Sequence, residues 1–175
     1  MVVIGKALGN GHPISAVLGK KRVMEAAQET FISSSYWTER VGFVAALETI
    51  KQFEELRVID YLKELGAYYD QKLKQLFQQL SLNIENIGCL TVPVLAIRED
   101  NPLVIKTIFT QEMLKRGYLA TNLTYLSFAH TKKIIDDFLV VAQEVFNRIK
   151  KAKENAQLAS LLDGEVCHGG FARLT

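Results

Sequence analysis

The sequence predicts an α/β beginning that passes, after about residue 56, into a small α+β unit. Three observations carry this. Two β-branched runs, at residues 2–4 and 14–18, flank a glycine-rich loop. Residues 39–80 and 130–150 place apolar side chains at helical spacing. Between those helical stretches lie short apolar runs punctuated by Gly88, Pro93 and Gly117.

Residues 2–4 read as a short buried strand and residues 14–18 as a second, ended by Gly19. A short helix is expected over 22–28, then an extended segment whose Ser33-Ser34-Ser35 end presents hydroxyls and backbone N–H groups. Ser35 or Thr38 can cap the next helix, whose stripe runs Val41, Val44, Leu47, Ile50, Phe53. After a break near Arg57 a second amphipathic helix reaches Leu80, with Tyr68 and Tyr69 in its apolar stripe. Residues 82–87 and 90–97 are strand candidates around Gly88, and Pro93 suggests an edge position or a bulge. Asn101 as N-cap, Pro102 at the first helical position and Gly117 beyond the last turn frame the next helix. One or two strands are expected over 118–128. His130-Thr131 then opens a long helix bearing Ile135, Phe138, Ala142, Val145 and Ile149. The tail from residue 161 reads as irregular.

Composition bounds the function. The 175 residues are 49% hydrophobic with a net charge of +2, so the chain can bury a core and does not carry the signature of disorder. Acidic and basic residues are interleaved, which gives no reason to expect nucleic acid; Lys20-Lys21-Arg22 reads as a solvated face. No apolar run reaches the roughly 20 residues of a membrane helix, and Met1 leads into a strand-like run with no basic leader. Cys89 and Cys167 are far apart and outside any Cys-x-x-Cys pair, so no metal site and reduced thiols in a cytoplasmic protein are expected.

The residues that can carry chemistry start with Lys6. It follows the first strand and sits in Gly5-Lys6-Ala7-Leu8-Gly9-Asn10-Gly11. This is neither a P-loop, which puts glycines before the lysine and Ser or Thr after it, nor a dinucleotide fingerprint. On spacing alone it is either a surface lysine at a strand end or a position for covalent catalysis. His12 lies beside this loop, either approaching a ligand or lining the turn. Glu39 and Arg40 flank the serine-rich segment, where Arg40 could contact phosphate or a neighbouring subunit, or the pair could form a helix-start ion pair. His130 reads as a capping or packing residue. His168 and Arg173 lie in the tail, where an arginine could reach an anionic group or remain on the surface.

The run Gly-Lys-Ala-Leu-Gly-Asn-Gly-His-Pro-Ile-Ser-Ala-Val-Leu-Gly, residues 5–19, resembles the lysine segment of the class III aminotransferases. These are fold-type I enzymes dependent on pyridoxal 5′-phosphate (PLP), and they include glutamate-1-semialdehyde aminomutase. The stretch from Phe31 through Ser35-Tyr36-Trp37-Thr38-Glu39-Arg40 to Ala45-Ala46-Leu47 is similar to the family's Thr-Tyr-Ser-Gly-Asn-Pro segment and alanine-rich helix. Residues 113–118 and 126–131 resemble its small-domain strands and the entry to its last helix.

The resemblance implies that Lys6 carries PLP as a Schiff base and moves a proton once freed. Ser35, with Ser34, falls on the family's phosphate-binding position, typically reached across a dimer interface. It implies residues 1–56 as a remnant of the large PLP-binding domain and 57–175 as a small C-terminal α+β domain. The implied protein is a homodimeric enzyme taking a small-molecule amino donor and a carbonyl acceptor. An aminomutase and a non-catalytic dimerisation module are the alternatives. In the family, residues before the lysine build most of the pocket, so the 175-residue chain by itself is expected to be inactive. Its first strands and the helix after Ser35 are expected to expose apolar surface and to favour association.

Overall fold

The structure is a computed structural model that describes residues 1–33 and 35–170. Two compact units divide the chain, Met1–Ile59 and Asp60–Thr175.

In the first unit, β1 (Val2–Ile4) and β2 (Ala16–Leu18) pair antiparallel, with Val3 opposite Val17, so residues 5–15 are the connection of a hairpin. A single 3-10 turn, Lys6–Gly9, occupies the start of that connection. Helix α1 (Lys21–Met24) is one turn and continues as a 3-10 helix, Glu25–Glu29. Helix α2 (Val41–Glu55) follows the serine-rich segment. The sequence places these elements but misjudges the burial of β1. Val2, Val3 and Ile4 are all exposed, because a two-stranded sheet leaves both of its faces open. The stripe of α2 is exposed as well, Leu47 to 69%, and only Gly42 and Ala46 of that helix are buried.

The second unit is built on three helices. Helix α3 (Val58–Leu80) begins beyond Arg57, whose φ of +49° makes the break from α2. Its stripe Leu65, Tyr69, Leu73, Leu76 and Leu80 is buried. Helix α4 (Pro102–Lys115) contributes Ile105, Ile108, Phe109 and Met113. Helix α5 (Lys132–Glu154) contributes Ile135, Ala142, Val145, Phe146 and Ile149. The three helices meet at Phe146, whose ring stacks on Phe109 at 4.7 Å and meets Phe77 edge-on at 5.1 Å.

In the second unit the helix ends follow the sequence signals with one exception. Thr131 accepts from Ile134 N through its side chain. At the end of α4, Tyr118 N reaches Met113 O and Gly117 N reaches Leu114 O, with Gly117 at φ +83°, a full Schellman motif. Asn101 takes the cap position of α4, but its side chain makes no capping bond there.

Strands β3 (Ile84–Asn86) and β4 (Leu95–Ile97) pair antiparallel, shorter than the apolar runs suggest. Pro93 is buried beyond the paired segment, where its missing N–H interrupts nothing. No regular strand forms over 118–128. That segment instead lies beside β4 through Leu95 N to Asn122 O and Thr124 N to Pro93 O, around one bridge between Val94 and Leu123. Gly66 of α3 lets the chain at Leu90 approach closely, since a Cβ there would stand 2.3 Å from Leu90 O.

Glu112 is the charged residue inside this core, 1% exposed. Lys115 Nζ donates to one carboxylate oxygen at 3.0 Å; Arg116 at 2.9 Å and Arg148 at 2.5 Å donate to the other. Burial pushes its carboxyl up, but hydrogen bonds from Gln111, Arg116 and Lys115 and the charge of Arg148 outweigh that and hold it at about 2. Lys115 also pairs with Asp163 at 2.6 Å, and Gln111 donates to Leu161 O and accepts from Asp163 N. The cluster therefore fastens the segment after α5 to α4.

Two outcomes test this packing. Replacing a helical glycine by alanine ordinarily stabilises by up to about 1 kcal/mol. Gly66→Ala is expected to destabilise instead, by roughly 1–3 kcal/mol in urea denaturation, because backbone stands where its Cβ must go. Glu112→Gln is expected to cost about 2 kcal/mol at pH 7. Its depressed carboxyl contributes fully above the ordinary value of 4.5 and loses that contribution as pH falls towards about 2. The stability gap between wild type and variant should narrow across that interval, and a gap independent of pH would contradict the account.

Candidate active site

The lysine loop is shaped by backbone conformation before any side chain acts. Leu8 N donates to Gly5 O, Asn10 N to Ala7 O and His12 N to Gly9 O, which winds residues 5–12 into consecutive tight turns. Gly9 is buried, and a Cβ there would stand 2.7 Å from Ile14 Cγ2. Lys6 itself has φ +50° and an exposed side chain. Six described non-glycine residues have positive φ. Asn10, Arg57, Ser81 and Ala156 each follow a helical turn, where such a conformation ends the helix. Lys6 and Trp37 do not. They lie on the two loops of this unit that carry the sequence-predicted chemistry, and an outlier of that kind marks a place where something other than local preference sets the backbone.

The second loop leads into α2. Glu39 N donates to Tyr36 O at 2.8 Å and closes a turn that contains Trp37 at φ +42°. Neither Ser35 nor Thr38 caps the helix. Arg40 takes the N-cap position with no side-chain bond, and Glu39 supplies the acceptor: Val41 N donates to one carboxylate oxygen at 2.8 Å and Gly42 N to the other at 3.3 Å. An acidic side chain suits this place because α2 begins with unpaired N–H groups and a positive dipole end. The sequence signals for capping favour Ser and Thr, which is why Glu39 escaped that reading.

The two loops come together at Gly42. A Cβ on that residue would stand 2.9 Å from Pro13 O and 3.2 Å from Ile14 Cβ, so the first turn of α2 lies directly on the lysine loop. Beside this contact is a cavity of about 320 Å³, with Pro13, Ile14 and Ser15 on one side and Tyr36, Trp37, Glu39 and Phe43 on the other. Lys6 and Ser35 do not line it. Ser35 is exposed in the turn, while Ser34 and Arg173 lie outside the described residues.

The remaining candidates are placed elsewhere. His12 is exposed at the end of the lysine loop. His130 belongs to the second unit, where its Nδ1 lies 2.9 Å from Ser127 N and its carbonyl accepts from Tyr61 Oη, holding the turn before α5. His168 is exposed near the end of the described chain. No group of three or more His, Cys, Asp or Glu residues suited to a metal occurs among the described residues, and no helix among them is long and apolar enough to cross a membrane.

With this geometry in hand, comparison with known proteins defines the class. The structure superposes on the PLP internal aldimine form of the Sphingopyxis sp. MTA144 FumI protein with a TM-score of 0.79 and 26% identity, covering 91% of this chain and 39% of that one. The fold is that of part of the fold-type I arrangement of PLP-dependent transaminases. The sequence pattern of the Aminotransferase class-III family matches residues 1–151, and the chain belongs to that family. Among curated relatives, the aminopentol aminotransferase of Sphingopyxis macrogoltabida is 28% identical over 147 residues, 83% of this chain and 35% of that protein. A glutamate-1-semialdehyde 2,1-aminomutase from Thermodesulfovibrio yellowstonii is 23% identical over 166 residues, 85% of this chain and 39% of that protein. The chain thus spans well under half the length of these relatives.

Proposed function

We propose that this chain is the C-terminal portion of a PLP-dependent aminotransferase that transfers an amino group to a carbonyl substrate. The observation that carries the reading is the family match across a lysine loop whose Lys6 stands in left-handed backbone, on a loop pressed against α2. The donor set suits the cofactor: a primary amine for its aldehyde, and a hydroxyl with neighbouring amides for its phosphate. When bound, PLP supplies the aldehyde for attachment and a ring that draws negative charge away from the reacting substrate carbon.

Lys6 Nζ would hold the cofactor covalently and, once freed by an incoming amino group, would carry the proton between the substrate carbon and the cofactor. The Ser35 hydroxyl, with Ser34, would hold the phosphate of a bound cofactor and so orient its ring. The Gly42 contact seats the first turn of α2, which follows the serine turn, against the lysine loop of the same chain. The working form is a homodimer. The exposed apolar residues Phe43, Val44 and Leu47 of α2 support burial of that face against further protein.

A second reading, an aminomutase that moves the amino group within one molecule, is favoured by the aminomutase among the relatives. Turnover of a single substrate without a separate amino donor separates the two.

Two tests address the reading. In the polypeptide that carries the complete fold, Lys6→Ala is expected to abolish borohydride-fixed cofactor and to lower turnover at least about 1000-fold. Ser35→Ala is expected to weaken PLP binding about tenfold with the lysine attachment intact. The 175-residue chain by itself should show neither stable PLP absorbance nor transaminase turnover, and either signal would refute its assignment as a dependent portion of the enzyme.

A further inference from the structure

We infer that Glu39 is the positioning residue of the phosphate-binding turn, acting by occupying the N-terminus of α2 and thereby leaving the cofactor phosphate to the serine turn. This rests on the proposed PLP reading and adds a residue to it. Glu39 makes three bonds that converge on one junction. Its own N–H closes the turn on Tyr36 O, and its two carboxylate oxygens accept from Val41 N and Gly42 N, the opening amides of α2. The turn so closed begins immediately after Ser35 and contains Trp37 in left-handed backbone. A turn that includes such a residue relaxes unless its ends are fixed. Here both ends are fixed by the same side chain and backbone.

The same carboxylate decides where an anion can bind. The free amides of a helix N-terminus are a ready anion site. In α2 two of them are already satisfied by a negative charge, and Gly42, which donates one, is the residue seated on Pro13 O of the lysine loop. An incoming phosphate meets a filled helix end beside it and donors on the serine turn. Glu39 touches neither the reacting atoms nor the phosphate in this account. It sets the position of Ser35.

The test compares PLP with pyridoxal, which has the aldehyde and ring but no phosphate. In the complete enzyme, Glu39→Ala is expected to raise the dissociation constant of PLP about tenfold while leaving that of pyridoxal within about twofold, an effect of the size of a lost helix cap. Glu39→Gln keeps a carbonyl acceptor for Val41 N and should restore PLP binding to within about threefold of wild type. Hydrogen exchange at Val41 and Gly42 should accelerate in Glu39→Ala and much less in Glu39→Gln. Equal weakening of PLP and pyridoxal would show a general loss of structure and overturn the proposal. Unchanged PLP affinity, or tighter PLP binding through the freed helix amides, would overturn it as well. If borohydride fixes no cofactor in the wild-type enzyme, the PLP reading fails first; if it does, and the fixed cofactor is lost in Lys6→Ala while the Glu39→Ala discrimination is absent, only the role of Glu39 fails.

Discussion

Gly42 is the constraint on which the first unit turns. Its Cα face meets the carbonyl of Pro13 at a distance no side chain permits, and its N–H is held by the carboxylate of Glu39. One residue therefore joins the lysine loop, the first turn of α2 and the turn that follows Ser35. The glycine gives up some intrinsic helix stability at this position. In return the chain gains backbone-to-backbone contact, the stiffest link available between a loop and a helix. Gly9 does the same within the loop, letting Ile14 fold back over the turn that begins at Lys6.

The second unit also uses close backbone approach, at Gly66 against Leu90, but adds to it a core of large side chains. Phe146 draws α3, α4 and α5 together through Phe77 and Phe109. Glu112 adds directionality that an apolar residue lacks. A buried carboxylate is tolerated only when its hydrogen-bonding capacity is filled by charge, and here the cations come from α4 and α5. Because Lys115 also holds Asp163, the ion cluster extends from the core to the segment beyond α5. This division leaves the lysine and serine loops in the unit with little buried apolar surface and the densest core in the other.

What the sequence discloses follows the same physics. The stripes of α3 and α5 are readable because their apolar residues are both periodic and buried. The stripe of α2 is equally periodic, yet Val44 and Leu47 face outward: periodicity names the apolar face of a helix and says nothing about what covers it. The segment over 118–128 has β-branched and aromatic residues, but it follows β4 through scattered bonds and one bridge, a distinction of register that composition does not encode. Glu112 was missed although a signal exists. It lies seven residues after Ile105, on the line through Ile108, Phe109 and Met113, so a helical projection puts this carboxylate on the buried side. In the candidate site, the lysine and serine loops were legible as motifs. Glu39 as the cap and Gly42 as the contact were not, because each acts through backbone geometry that only the folded chain displays.

The backbone at Lys6 connects sequence choice to chemistry. A left-handed conformation costs a non-glycine residue roughly 1 kcal/mol or more. Glycine would remove that cost, and the chain uses glycine freely here, at residues 5, 9 and 11. A lysine at the strained position is therefore not explained by local preference, and its exposed side chain does not repay the strain through packing. What glycine lacks is the amine. The same reasoning applies to Trp37, whose turn would close more easily around glycine, and whose indole borders the cavity beside the lysine loop. Where local rules are broken without compensation from packing, the side chain itself is what the position requires. Lys6 fits that pattern: it places a primary amine at the end of a strand, on a loop that is fixed in turn by Gly42.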